Sequence, residues 1–266
     1  MNRLDDTWHR LKAKREKALI TYIMAGDPSL QDTEQLVLEL ERAGADIIEL
    51  GVPFSDPIAD GPVIQKAAER GLRSGTSLRM ILESVRHLRN TTQIPILLMA
   101  YCNNIHAFGE AEFCQKAVEA GVDGLIVPDM PPDEAGPLRG PADAAGLHLI
   151  FLLAPTSTST RRAYVAKESG GFVYYVAVTG ITGAKLSDIA GVRQNVAKIR
   201  RCTKRPVAVG FGVATAEDAA RVAKVADGVI VGSAIVRRMG EHGQDGRLVQ
   251  EVGTFVRSLK AAMQPT

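Results

Sequence analysis

The chain has 266 residues, 45% hydrophobic and 23% charged, and a formal net charge of +2. That length suits one α/β barrel or two smaller domains, and that balance suits a globular protein with a sizeable core. No long run of one sign occurs, so nothing in the charge argues for nucleic acid or an anionic membrane as partner.

ALITYIM (18–24) is the first expected strand. The stripe Leu36, Val37, Leu40, Ala43 predicts a helix that Gly44 closes. DIIEL (46–50) is the second strand, followed by helices near 63–73 and 78–90. IPILLMA (94–100) is the third, with a helix over 110–120 ending at Gly121. DGLIV (123–127) is the fourth, and a helical segment near 132–145 leads to the fifth, LHLIFLL (147–153). A helix over 160–168 precedes GFVYYVA (171–177), the sixth. A helix near 190–200 precedes RPVAVG (205–210), the seventh. A helix over 214–226 precedes DGVIVG (227–232), the eighth. Leu248, Val252, Phe255, Val256 and Leu259 form the apolar face of a last helix. Continuous Val/Ile/Leu runs are the mark of parallel strands buried on both faces. About eight β-then-α units without a long linker predict one closed (β/α)8 TIM barrel, with residues 1–266 as a single domain. An open doubly wound sheet is the structural alternative. It needs a glycine-rich turn after its first strand, and Ala25-Gly26-Asp27-Pro28 is not one.

Cys102, Cys114 and Cys202 form no CxxC pair, which argues against a disulfide framework or zinc site and fits a reducing cytosol. The first residues, MNRLDDTWHRLKAKREK, carry charge throughout and no apolar signal core. No apolar run reaches the roughly 18 residues of a membrane span. A cytoplasmic protein is expected. The basic cluster Arg200, Arg201, Lys204, Arg205 reads as a solvated helix end.

A weak internal repeat links AGADIIELGVP (43–53), AGVDGLIVPDMP (120–131) and VADGVIVGSA (225–234). Each closes a helix, turns through small residues, places an aspartate and runs a strand. The repeat sets strand direction and puts Glu49, Asp129 and Gly232 at or just beyond C-terminal strand ends, the catalytic face of this fold. Alternation along DIIEL turns Glu49 inward with Ile47. A carboxyl there loses hydration and its pKa rises, which suits a proton shuttle. A strand-end glutamate paired with a lysine is the other reading. Asp60, in PFSDPIADGPV, starts a helix in the usual way, and the loop taken alone favours that capping role. It also forms a carboxylate pair with Glu49 across one rim. VGFGVATAED (209–218) and VGSAIV (231–236) follow strands seven and eight, where this fold holds phosphate on backbone N–H groups. Tight turns alone are the alternative. TGITGAK (179–185) reads as a flexible loop able to close over a ligand. Tyr22, Tyr101 and Tyr174 lie near C-terminal strand halves and serve either a pocket or the core. The five histidines are scattered and indicate neither a metal site nor a triad.

The segment Glu49-Leu-Gly-Val-Pro-Phe-Ser-Asp-Pro-Ile-Ala-Asp60-Gly-Pro resembles the signature of the tryptophan synthase α family. ITYIMAGDP (20–28), PDMPPDE (128–134), YYVAVTGITG (174–183), VGFGV (209–213) and VGSAIV (231–236) agree in order, so the likeness covers essentially the whole chain. The resemblance implies a (β/α)8 barrel with an extra N-terminal helix. It implies a lyase that splits indole-3-glycerol phosphate into indole and glyceraldehyde 3-phosphate by retro-aldol chemistry, within tryptophan biosynthesis. Glu49 and Asp60 match the catalytic pair. Tyr22, Met99 and Ile126 match positions around the indole ring. Tyr174 matches a tyrosine facing the substrate, and Tyr101 another in the pocket. Thr182 matches a lid residue that meets Asp60 on closure. Gly183, Gly212, Gly232 and Ser233, with Phe211 nearby, match the phosphate site. The implied partner is a β subunit in an α2β2 tetramer, which receives the indole and carries pyridoxal phosphate; no cofactor is expected on this chain. Tyr22 departs from a frequent phenylalanine, and Ala177 from a serine found in several members. The competing readings are a stand-alone lyase releasing free indole, a non-catalytic phosphate-ligand barrel, and a sugar-phosphate isomerase on the same fold. Retention of both Glu49 and Asp60 disfavours the non-catalytic barrel.

Overall fold

The computed structural model describes residues 2–177, 188–210 and 212–264. Helix α1 (Arg3–Lys14) comes first, then β1 (Ala18–Met24), α2 (Leu30–Arg42) and β2 (Ile47–Gly51). Helices α3 (Pro62–Arg73) and α4 (Leu78–Leu88) lead to β3 (Ile96–Met99). Helices α5 (Cys102–Phe108) and α6 (Glu110–Ala120) lead to β4 (Gly124–Ile126). Then follow α7 (Gly136–Ala145), β5 (His148–Ile150), β6 (Leu152–Leu153), α8 (Ser159–Glu168), β7 (Val173–Val176), α9 (Ile189–Arg200), β8 (Val207–Gly210), α10 (Ala216–Ala223) and β9 (Gly228–Val231). Helices α11 (Ser233–His242) and α12 (Leu248–Ala262) end the fold.

The strands form one parallel sheet in the order β5-β4-β3-β2-β1-β9-β8-β7-β6. Its two outer strands, β5 and β6, are separated in the chain by Phe151 alone. The sheet therefore curls round to a nearly closed barrel of eight β/α units, with the expected fifth strand broken in two. At the break the Phe151 N–H turns to the Ser169 hydroxyl, 3.3 Å away. Two further differences have plain causes. Pro131 and Pro132 cannot continue a helix, so α7 begins at Gly136 rather than near 132. Helix α5 was not expected; at seven residues it is too short to show an apolar stripe, and the Asp129 carboxylate caps it by accepting the Cys102 N–H at 3.0 Å. Among the described residues no helix is long and apolar enough to cross a membrane.

Two apolar clusters hold the barrel. The larger lies between the strands and the outer helices. The smaller fills the barrel with inward residues, among them Ile20, Ile47, Leu97, Ile126, Ile150, Tyr174, Ala208 and Ile230. Leu4, Trp8 and Leu11 of α1 join this inner cluster. Their i, i+4, i+7 spacing is one helix face, so α1 lies across the N-terminal mouth of the barrel as a floor. Trp8 packs on Phe172 with ring centroids 5.6 Å apart. A Cβ at Gly228 would sit 2.9 Å from Trp8 Cη2, so only glycine leaves the indole its place.

The repeated aspartates now acquire a function. Asp46, Asp123 and Asp227 each donate a backbone N–H to an adjacent strand, at Leu19, Ile96 and Val207, and each accepts that same residue's N–H on its carboxylate, all at 2.8–2.9 Å. This two-point clamp sets the register of three strand pairs. Each carboxylate also meets a cation from the N-terminal segment: Arg10 on Asp46, Arg3 on Asp123, and Lys17 on Asp227. Lys260, Arg89 and Arg200 complete the three clusters. Arg200 thus has a structural partner, beyond marking a helix end.

Candidate active site

The opposite mouth is built from C-terminal strand ends. Ile20 and Ile47 point inward, so alternation turns Tyr22 and Glu49 inward too, and they are register partners. Ile126 and Met99 are also paired, as are Leu152 and Tyr174. Tyrosine rings need room at this crowded axis. Gly51 and Gly210 supply it: a Cβ at either would collide with Tyr22 Oη (2.1 Å) or Tyr174 Oη (2.7 Å).

A cavity of about 140 Å³ opens here. Its wall brings together Tyr22, Asp60, Met99, Tyr174, Gly212, Gly232 and Ser233, which come from segments up to 211 positions apart (residue 22 against residue 233). Two expected residues lie behind the wall. Ile126 is fully buried in the inner cluster beside Met99, and Tyr101 backs Asp60. Thr182, Gly183, Phe211 and the expected lid 179–185 lie outside the described residues.

Glu49 is fully buried, and among the described residues neither carboxylate oxygen has a hydrogen-bond partner. The alternative of a lysine partner is therefore not realised within the described structure. Loss of hydration pushes its carboxyl up to about 8, so it is largely protonated at neutral pH. Asp60 is partly exposed. Burial raises its carboxyl to about 6, against the Tyr101 hydroxyl, which donates at 2.9 Å and favours the charged form. Two carboxyls on one rim thus differ in protonation, one acid and one largely carboxylate near pH 7. Burial raises the Tyr22 and Tyr174 phenols, and the nearby Asp60 and Glu49 carboxyls raise them further.

Asp60 does not cap α3. The N-cap is Gly61, with no side-chain cap bond and Pro62 at the first position. The loop before it splits its apolar groups. Phe54 turns inward and stacks on Tyr101, ring centroids 5.2 Å apart, whereas Ile58 is 78% exposed.

At the far side, Gly232 caps α11 without a side-chain bond. The N–H groups of Ile235 and Val236 turn back to the Gly232 carbonyl. Those of Ser233 and Ala234 face the cavity end of the helix, a favourable place for an anion. Sequence reasoning missed several wall residues. Leu152 and Ile230 share inward faces with Ile150 and Gly228, so alternation was a usable signal. Arg237 lies one helical turn beyond Ser233, a spacing visible only once α11 is placed.

Comparison with known proteins gives the family to which this fold belongs. The family profile described as Tryptophan synthase alpha chain matches residues 8–264. The tryptophan synthase alpha chain of Geobacter sp. (strain M21) is 52% identical over 260 residues, covering 98% of this chain and 97% of that one. That of Nitrosococcus oceani is 46% identical over 268 residues, covering 100% and 99%. Among solved structures, tryptophan synthase subunit alpha from Legionella pneumophila str. Paris superposes with a TM-score of 0.93 at 39% identity, covering 99% of this chain and 98% of its own. A chain of Mycobacterium tuberculosis tryptophan synthase superposes with a TM-score of 0.91 at 34% identity, covering 100% and 99%. The chain belongs to the tryptophan synthase alpha chain family.

Proposed function

We propose that this chain cleaves indole-3-glycerol phosphate to indole and glyceraldehyde 3-phosphate, with Glu49 and Asp60 as the catalytic pair. The supporting observation is the placement of Glu49, a carboxyl with no hydrogen-bond partner among the described residues, sealed at a strand end beside Tyr22, whose ring lines the cavity shared with Asp60. A carboxyl kept in its acid form is suited to give a proton, and a nearby carboxylate is suited to face positive charge. Glu49 protonates indole C3, and the ring becomes an indolenine-type cation whose N–H faces the Asp60 carboxylate. The Glu49 carboxylate then takes the proton from the hydroxyl on the carbon bonded to C3. That carbon–carbon bond breaks, its electron pair returns to the ring as indole, and the hydroxyl carbon becomes the aldehyde. Glu49 ends protonated, ready for another turnover.

In this reading Tyr22, Met99 and Ile126 shape the indole end, with Tyr174 facing the substrate and Tyr101 holding Asp60. Gly212, Gly232 and Ser233 receive the phosphate, together with Gly183 and Phe211, and Thr182 meets Asp60 on closure. Residues 1–266 act as one domain in the cytoplasm. The partner is a β subunit in an α2β2 assembly, and pyridoxal phosphate belongs to that subunit. Structures described as aminoacrylate-bound tryptophan synthase of Mycobacterium tuberculosis fit a partner with its own chemistry. The direct test is to mix purified protein with indole-3-glycerol phosphate and measure indole. Absence of indole, with and without a β subunit, overturns the reading.

A further inference from the structure

The cavity has a charge polarity that Glu49 and Asp60 do not explain. Among its described wall residues Asp60 is the one carboxylate and Arg237 the one cation. Arg237 stands on α11, four positions after Ser233, so the two share a helix face. Helical side chains lean back toward the N-terminus, which carries the Arg237 stem over the first turn, where Ser233 and Ala234 also line the cavity. Its neighbour Arg238 is committed elsewhere: its Nη1 donates to the Ala234 carbonyl at 2.8 Å, and its guanidinium lies 3.5 Å from the Phe255 ring centroid. Arg237 has no such tie. It is exposed, and among the described residues no carboxylate lies within ion-pair distance of it.

An unpaired guanidinium over a helix N-terminus adds a full charge to a helix end where the other described residues, Gly232 and Ser233, offer partial charges and the serine hydroxyl. A phosphate dianion entering the cavity leaves bulk water, and the helix end with one serine compensates only part of that charge. We infer that Arg237 is a phosphate-binding residue of this site and sets its preference for a doubly charged phosphate ester over an uncharged or singly charged analogue. The inference rests on the proposed placement of the phosphate at Gly232 and Ser233. Being exposed, the guanidinium also draws the anion in from solution, an effect that salt weakens.

The test uses wild type, Arg237→Gln and Arg237→Lys. Indole release gives kcat and KM for indole-3-glycerol phosphate, and glycerol 3-phosphate and glycerol serve as competing probes. The substituted position is exposed, so both variants should fold as wild type does. The expected result for Arg237→Gln is a roughly tenfold rise in KM and in the inhibition constant of glycerol 3-phosphate, with kcat within about twofold. Its kcat/KM should also depend less on salt, Arg237→Lys should recover most of the loss, and glycerol should be equally weak throughout. Unchanged KM and inhibition constants in Arg237→Gln overturn the inference, as does a fall in kcat at constant KM. If wild type cleaves the substrate yet glycerol 3-phosphate does not compete, the phosphate placement itself is wrong. If wild type cleaves nothing, the lyase reading fails first.

Discussion

The Tyr101 hydroxyl donates to Asp60 Oδ2 at 2.9 Å and accepts the Ala59 N–H at 3.1 Å, so one phenol holds both the Asp60 carboxylate and the backbone beside it. The bond to Asp60 favours its charged form and opposes the effect of burial. Tyr101→Phe removes that bond and leaves the ring on Phe54. The Asp60 carboxyl should then rise further above about 6, moving the acidic limb of the kcat/KM profile to higher pH. Activity at pH 7 should fall about tenfold. An acidic limb that stays in place would show that Asp60 is not the group titrating there.

Glu49 gives a prediction in which stability and activity move in opposite directions. Its folded carboxyl titrates near 8, above the ordinary value of 4.5, so the folded state binds more protons between those pH values. Folding stability therefore declines as pH rises through that window. Glu49→Gln has no such proton to lose. The variant should melt above wild type at pH 9, with the difference shrinking toward pH 5, while indole formation drops about 10²–10⁴-fold. Thermal scans at the two pH values check the first part. Activity within a few-fold of wild type would remove Glu49 from the mechanism.

Gly232 separates space from charge. Among the described residues the nearest atoms to a Cβ there are Tyr22 side-chain carbons at 3.4–3.6 Å, an ordinary contact, and the backbone is not in the left-handed region. Gly232→Ala should be mild, with KM raised no more than about threefold. Gly232→Asp places a carboxylate where the phosphate is proposed to sit. It should raise KM for indole-3-glycerol phosphate far more than for indole and unphosphorylated glyceraldehyde in the reverse direction. Equal effects on both substrate pairs would put the phosphate elsewhere.

The Phe54 stack links the rim loop to Asp60 through Tyr101. Ile58, four residues on, is exposed and available to a partner. A β subunit that covers Ile58 would steady the loop and with it Asp60. Single-turnover indole release should be slow in the isolated chain, faster with the β subunit, and less responsive to it in Phe54→Ala. A wild-type rate unchanged by the β subunit would favour a stand-alone lyase with an already rigid loop.

On the opposite face, Asp123 accepts Arg89 at 3.0 Å, Arg3 at 3.2 Å and the Ile96 N–H at 2.9 Å. Burial raises its carboxyl in spite of these partners, and burial lowers Arg89 to about 10. The pair is valuable mainly because removing one member strands the other. Asp123→Asn should destabilise the protein by about 3 kcal/mol without changing KM. A denaturant midpoint equal to that of wild type would show that Arg89 finds another partner.

What the sequence made legible depended on distance along the chain. The barrel followed from apolar runs and helix stripes, and β1 lies over the expected 18–24. The inward direction of Glu49 followed from alternation within five residues. The break at Phe151 did not, because the hydroxyl that its N–H meets comes from Ser169, eighteen positions on. The capping reading of Asp60 was reasonable for its loop; Tyr101, 41 positions away, supplies the partner that the loop could not show. The repeat around Asp46, Asp123 and Asp227 was visible as a pattern. Its purpose was not, since each carboxylate grips a different strand.

Helix α1 is made before every strand of the barrel, yet its resting place is assembled from distant parts of the chain. Asp5 meets His148, Leu4 lies against Gly171, and Trp8 fits over Gly228. A nascent chain shorter than about 230 residues has no complete surface for that indole to cover. The earliest helix must therefore wait, its apolar face uncovered, until β9 arrives, and sealing the floor becomes one of the closing events of folding. The Arg3, Arg10 and Lys17 contacts, one to each aspartate clamp, then tie three separate strand pairs to a single rod. The segment at the start of the chain acts as the latch that records the barrel's completion.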